Sequence, residues 1–163
     1  MKGIGGHTRP NRGATDVWLT PKWILESLGP FDLDPCAAPI PRPWDTAAEH
    51  WNEGGLDRKW QGRIWLNPPY SQIDRWLERL AEHGDGIAIA FARTETRWFF
   101  ARVWNRASGI LFLRGRPVFH RPDGTPGKSN SGGPICLIAY GYANACALQD
   151  SGIRGAFVNG WSR

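Results

Sequence analysis

The residues best suited to chemistry in this chain are Asn67-Pro68-Pro69-Tyr70, which follow a short apolar run at 63–66. That order predicts a strand that stops abruptly, because two prolines forbid both helix and ladder continuation. The stiff loop would hold two acceptors side by side, the Asn67 side-chain oxygen and the Pro68 carbonyl. Such a pair answers a specific chemical problem. An exocyclic amine conjugated to a ring is a poor nucleophile; two hydrogen bonds accepted from its NH2 favour a pyramidal nitrogen and stabilise the positive charge that grows during attack. Fixed φ angles lower the reorganisation required, and Tyr70 offers a π face for a planar base flipped out of its helix. Pro-Pro after a strand is by itself only a rigid turn. The Asn before it, the Tyr after it and the strand leading in point to catalysis.

The elements that must position this loop can be read on either side of it. Ile73, Trp76, Leu77 and Leu80 recur at i, i+3, i+4 and i+7 and predict an amphipathic helix, closed by Gly84 and followed by an apolar strand at 86–92. A strand, helix and strand of this length imply parallel pairing. Upstream, Thr20 as N-cap and Pro21 at the first helical position predict a helix at 21–28 that buries Ile24, Leu25 and Leu28 and stops at Gly29-Pro30. Residues 31–34 read as a brief strand ending at Pro35. The stretch 39–62 carries three prolines and a short helix near 45–51. Downstream, Thr94 caps a helix reaching about residue 106 that buries Trp98, Phe99 and Val103, and 110–113 forms a buried strand. The segments 117–120 and 135–140 predict a β-hairpin whose polar tip spans 121–133, and 155–158 an edge strand.

With 163 residues and no internal repeat, the chain predicts one domain at 16–163 behind a flexible, Gly-rich basic arm at 1–15. The net charge of +5 and isoelectric point near 9.5 favour a polyanionic partner. Three cysteines, Cys36, Cys136 and Cys146, are odd in number and lack a Cys-x-x-Cys spacing, which excludes a disulfide framework or a zinc site and predicts a reducing cytoplasm. No apolar run approaches the ~18 residues of a membrane span. Ten tryptophans against one methionine suggest that some line a ligand site.

Taken in order, several segments resemble one family: Asp16-Val17-Trp18-Leu19-Thr20-Pro21, Asp32-Leu33-Asp34-Pro35-Cys36-Ala37, Gly55-Leu56 with Trp60, Asn67-Pro68-Pro69-Tyr70, Arg93-Thr94-Glu95-Thr96 before Trp98-Phe99, and Arg114-Gly115-Arg116. They are similar to the amino-methyltransferases with an (Asn/Asp/Ser)-Pro-Pro-aromatic motif and, within them, to the phage-type DNA N6-adenine methyltransferase (Dam) family. The resemblance implies an α/β, compact Rossmann-like class I methyltransferase fold, shortened relative to full-sized members, with a parallel central sheet and an antiparallel C-terminal edge hairpin. It implies S-adenosylmethionine as cofactor and a flipped adenine in duplex DNA as substrate, in the cytoplasm of a bacterial host, with no membrane and no obligate protein partner. It places Asn67, Pro68, Pro69 and Tyr70 in catalysis. Trp18, Thr20 and Pro21 would stand at the methionine end of the cofactor, and Asp34, Pro35, Cys36 and Ala37 in the loop that follows the first strand. Ala38 and Pro39 stand where that family loop has glycines. An acid for the ribose is not evident in 39–62, where Asp57 and Asp45 are the candidates. Arg114, Arg116, His120, Arg121 and Lys128 would contact phosphates.

Two other readings stay open at this stage: methylation of cytosine N4, an RNA base or a glutamine amide, and a non-catalytic DNA-binding protein on a decayed scaffold. Residues 124–129 have the look of a phosphate-binding loop, but Pro122 stands where its first glycine belongs and no helix follows. Cys36 after Pro35 suggests the nucleophile of a cytosine-C5 enzyme, which an attacking amine does not need.

Overall fold

The computed structural model describes residues 17–161; the basic arm at 1–15 and Asp16 lie outside them. Seven strands form one mixed sheet in the order β2-β1-β3-β4-β6-β5-β7. β1 (Leu33–Asp34), β2 (Glu49–His50), β3 (Ile64–Leu66) and β4 (Gly86–Phe91) pair in parallel. β6 (Ile135–Tyr140) lies antiparallel between β4 and β5 (Gly109–Leu113), and β7 (Gly155–Val158) closes the edge antiparallel to β5. The expected parallel centre and antiparallel C-terminal edge are both present.

Two apolar layers cover the sheet. On one face Ile64, Leu66, Ala88 and Ile138 meet α2 (Ile73–His83) through Trp76, Leu77 and Leu80. On the other, Trp65, Ile87, Ile89 and Leu137 meet α1 (Lys22–Leu28) and α4 (Tyr142–Asp150) through Ile24, Leu25, Leu28, Ala145 and Leu148. Alternate strand residues therefore serve opposite layers, as the period of two requires. Gly84 ends α2 in the left-handed conformation at φ 78°. Gly86 has no room for a side chain, since a Cβ there would come within 2.5 Å of the Ile64 carbonyl oxygen. Among the described residues no helix is long and apolar enough to cross a membrane.

Four expectations change, and one element is new. Pro21, not Thr20, is the N-cap of α1, and the Thr20 hydroxyl makes no cap bond. The predicted helix at 45–51 is instead a turn entering β2, held where His50 Nε2 accepts from the N–H groups of Thr46 (3.1 Å) and Ala47 (3.3 Å). Thr96 rather than Thr94 caps α3 (Arg97–Phe99), whose chain widens into a π turn at Phe100–Trp104; Phe99 and Val103 are buried but Trp98 only half so. The hairpin partner of β6 is β5, while 117–120 runs as a strap whose His120 bridges Leu19. Finally, α4 had no forewarning.

Candidate active site

The chain leaves β1 toward β2 on one side and later returns through β3 and β4 on the other. Ligands of open α/β sheets bind where the strand order reverses, outside the carboxyl ends. A pocket of about 630 Å³ opens at that place, within the range of roughly 300–1,000 Å³ expected for a site that encloses a small molecule. Its walls come from the ends of β1 (Asp34, Cys36), β3 (Asn67, Pro68, Tyr70) and β4 (Phe91). Residues 17–20 and 128–131 cover it from the other side.

The catalytic candidates meet here. Asn67 Nδ2 donates to the Trp18 carbonyl at 2.7 Å. That bond commits the nitrogen end of the amide to the 17–20 segment and leaves Oδ1 as an acceptor on a residue that lines the pocket. The Pro68 carbonyl accepts no hydrogen bond among the described residues, whereas the Pro69 carbonyl is used by the N–H of Gln72 at 3.1 Å to begin the 3-10 turn. Tyr70 is 43% exposed. Phe91 and Trp98 pack nearly perpendicular to its ring, with centroids 5.5 and 6.2 Å away. Burial raises the Tyr70 phenol's pKa, against the Arg93 guanidinium that lowers it.

Asp34 is 3% exposed, and burial raises its pKa to about 6 despite hydrogen bonds from the Thr46 hydroxyl and the Cys36 N–H. Thr46 itself lines the pocket; nothing in its sequence context marks it, because it reaches Asp34 only once β1 and β2 are aligned. The Cys36 thiol's pKa is raised well above its usual value, by burial first and then by the Asp34 charge. A thiol held neutral is no nucleophile, which agrees with setting that role aside.

The remaining candidates divide. Trp18 and Thr20 line the pocket, and the Thr20 hydroxyl is buried without a partner among the described residues. Pro21, Pro35 and Ala37 are buried behind the wall rather than on it. The Pro35 carbonyl is backed so closely by Gly55 that a Cβ there would approach to 1.9 Å. Asp57 is exposed in a turn outside the pocket, and exposed Asp45 faces Arg42 at 3.7 Å. Of the basic candidates only Lys128 lines the pocket. His120 is a packing residue, its ring edge-on to Trp44 at 5.1 Å. Arg121 ties the loop tip together through Thr125 Oγ1 at 3.2 Å. Arg114 and Arg116 are exposed beyond the end of β5. Sequence reasoning also missed Phe91, Ser129, Asn130 and Ser131, which the fold brings to the pocket. Among the described residues no cluster of His, Cys, Asp or Glu could hold a metal ion, and all three cysteines are free.

A family model described as DNA N-6-adenine-methyltransferase (Dam) matches residues 7–147. A protein of Escherichia phage T1 named DNA N-6-adenine-methyltransferase is 25% identical over 108 residues, which cover 60% of this chain and 44% of that protein. The chain thus spans less than half the length of this relative. No solved structure matches.

Proposed function

The chain belongs to the DNA N-6-adenine-methyltransferase (Dam) family, and from that premise we propose that it transfers a methyl group from S-adenosylmethionine to N6 of a flipped adenine in duplex DNA. The observation that carries the reading is the orientation of Asn67: the Trp18 carbonyl takes its amide nitrogen, which leaves Oδ1 to accept on a residue that lines the pocket together with Pro68, whose carbonyl accepts no hydrogen bond among the described residues. These two acceptors receive the N6 hydrogens. With its hydrogens held there, the N6 lone pair would be free to form the C–N bond as the donor's S–CH3 bond breaks, with S-adenosylhomocysteine as the leaving group and the surplus proton passing to water. Tyr70 supplies the stacking face for the adenine ring.

The residues present suit the cofactor. The buried Thr20 hydroxyl, without a partner among the described residues, offers a hydrogen bond to its methionine end, Trp18 an aromatic surface for a sulfonium, and Asp34 an acceptor from the first strand. When bound, the cofactor supplies an electrophilic methyl on positively charged sulfur. Pro21, Pro35 and Ala37 act by shaping the wall behind these groups. The strand order and the crevice at its reversal fit a shortened Rossmann-like class I methyltransferase scaffold. Lys128 reaches the target nucleotide's phosphate from the covering loop, with Arg114 and Arg116 farther along the same edge.

Incubation with tritiated S-adenosylmethionine and unmodified duplex DNA, followed by nucleoside chromatography, should place the label in N6-methyl-2′-deoxyadenosine. Asn67→Ala should keep cofactor binding and lose about 10²–10³ in rate. Full turnover in that variant would remove the role assigned to Asn67; label in a cytosine derivative would change the substrate.

A further inference from the structure

The register of the sheet carries the pocket's edge well beyond the pocket. Phe91 at the end of β4 pairs with Ile135, and Phe112 of β5 with Cys136, so Leu113 comes abreast of Ile135; Leu113 in turn pairs with Gly155. Arg114 therefore leaves β5, and Arg154 enters β7, on the same sheet edge as Asn67 and Phe91. Strands lie about 4.8 Å apart, which sets the two arginines roughly 10–15 Å from β4 along that edge. The Arg114 N–H donates to the Arg154 carbonyl at 2.9 Å and holds the two segments together. With Trp23, Ser27 and Ile153 they line a shallow recess of about 300 Å³.

Both arginines are exposed, and Trp23 is 47% exposed. No carboxylate lines the recess. Among the described residues neither arginine takes part in an ion pair. Two uncompensated cations beside an open indole serve no packing purpose and together attract an anion.

We propose that this recess is a second DNA-contact site, gripping backbone phosphates about four to six base pairs from the adenine being methylated. Asn67 follows β3, three strands from β5 and four from β7, an offset of roughly 14–19 Å, and a base pair rises about 3.4 Å. Arg114 and Arg154 supply the charge, and the Trp23 indole supplies an N–H donor and a flat face against the sugars. Such contacts set the register of the duplex across the pocket and carry no sequence information. The inference rests on the methyltransferase reading only in taking duplex DNA as the polyanion.

Binding of the full chain to a labelled duplex of about 30 base pairs is measured by anisotropy over a range of salt, without cofactor. The double variant Arg114→Ala/Arg154→Ala should reduce the slope of log K against log salt by about 1.8, at 0.9 per lost phosphate contact. In transfer assays it should raise KM for DNA more than it lowers kcat. Arg114→Lys/Arg154→Lys should keep the wild-type slope, and Trp23→Ala should weaken binding several-fold without changing the slope. An unchanged slope and KM in the alanine variant would overturn the proposal, as would an equal loss in the lysine variant or a wild-type chain that does not bind duplex DNA. Salt-dependent binding that needs both arginines, without methyl transfer, would instead remove the methyltransferase reading and leave the recess standing.

Discussion

Asp34 is a buried carboxyl whose ionisation costs the fold stability. Its carboxyl is buried, and its pKa rises to about 6 from an ordinary 3.8. Between those values the folded chain binds more protons than the unfolded one, so stability falls as pH rises from about 4 to 6 and stays lower above that window. Two pK units correspond to a cost of at most roughly 3 kcal/mol at neutral pH. The Thr46 hydroxyl and the Cys36 N–H offset part of the burial cost. Asp34→Asn keeps the shape and removes the charge. It should raise Tm at pH 7, flatten the dependence of Tm on pH between 4 and 6, and weaken S-adenosylmethionine binding in calorimetry. Parallel Tm-against-pH curves for the two proteins would show that Asp34 is not the group responsible.

At the scale of elements, the π turn after α3 decides how Tyr70 is braced. Thr96 caps the helix, and the Asn105 N–H reaches back five residues to the Phe100 carbonyl at 3.1 Å. The widened turn is docked on both sides. Arg102 reaches Asp74 at 2.7 Å and Glu78 at 2.8 Å on α2, and its carbonyl accepts from the Tyr140 hydroxyl of β6 at 2.8 Å. Trp98, one turn earlier, is thereby set against Tyr70. Tyr140→Phe deletes one buried hydrogen bond and should cost about 1–2 kcal/mol in urea unfolding with the m-value unchanged. A loss indistinguishable from zero would mean that the Arg102 carbonyl finds another donor.

The whole molecule separates chemistry and anchorage onto opposite edges of the sheet. The carboxyl edge carries the pocket and the arginine recess, whereas the amino edge carries a network centred on Arg63. The Arg63 guanidinium donates to the carbonyls of Leu28 (2.7 Å) and Pro30 (2.9 Å) and to Asn144 Oδ1 (2.7 Å), and it stacks over Phe31 at 4.4 Å. Buried Asn144 passes the connection to Asp85 and to the Tyr140 carbonyl. These contacts tie α1, α4 and β6 to the segments that enter β1, β3 and β4. Arg63→Ala leaves the Leu28 carbonyl and Asn144 Oδ1, both part-buried, without this donor and should destabilise the chain by about 2–3 kcal/mol. Cofactor affinity, measured well below the lowered Tm, should stay at the wild-type value; a parallel loss of affinity would show that the two edges are coupled.

The sequence by itself determined the strand that stops at Asn67-Pro68-Pro69, the α2 helix and the parallel pairing of β3 with β4. In each case the deciding forces act within a few residues: proline sterics, a 3.6-residue apolar period, and a connection too long for a hairpin. Only the tertiary structure decided that β6 pairs with β5 and β4, because every apolar run downstream offers an equal ladder until burial selects among them. β2 is two residues long, too short to show any alternation, and α4 buries only Asn144, Ala145 and Leu148, so neither leaves a readable period. The same holds for the positive charges. Arg114, Arg121, Lys128 and Arg154 look alike along the chain, and only the folded register puts Lys128 over the pocket, turns Arg121 inward to Thr125 and sets Arg114 beside Arg154.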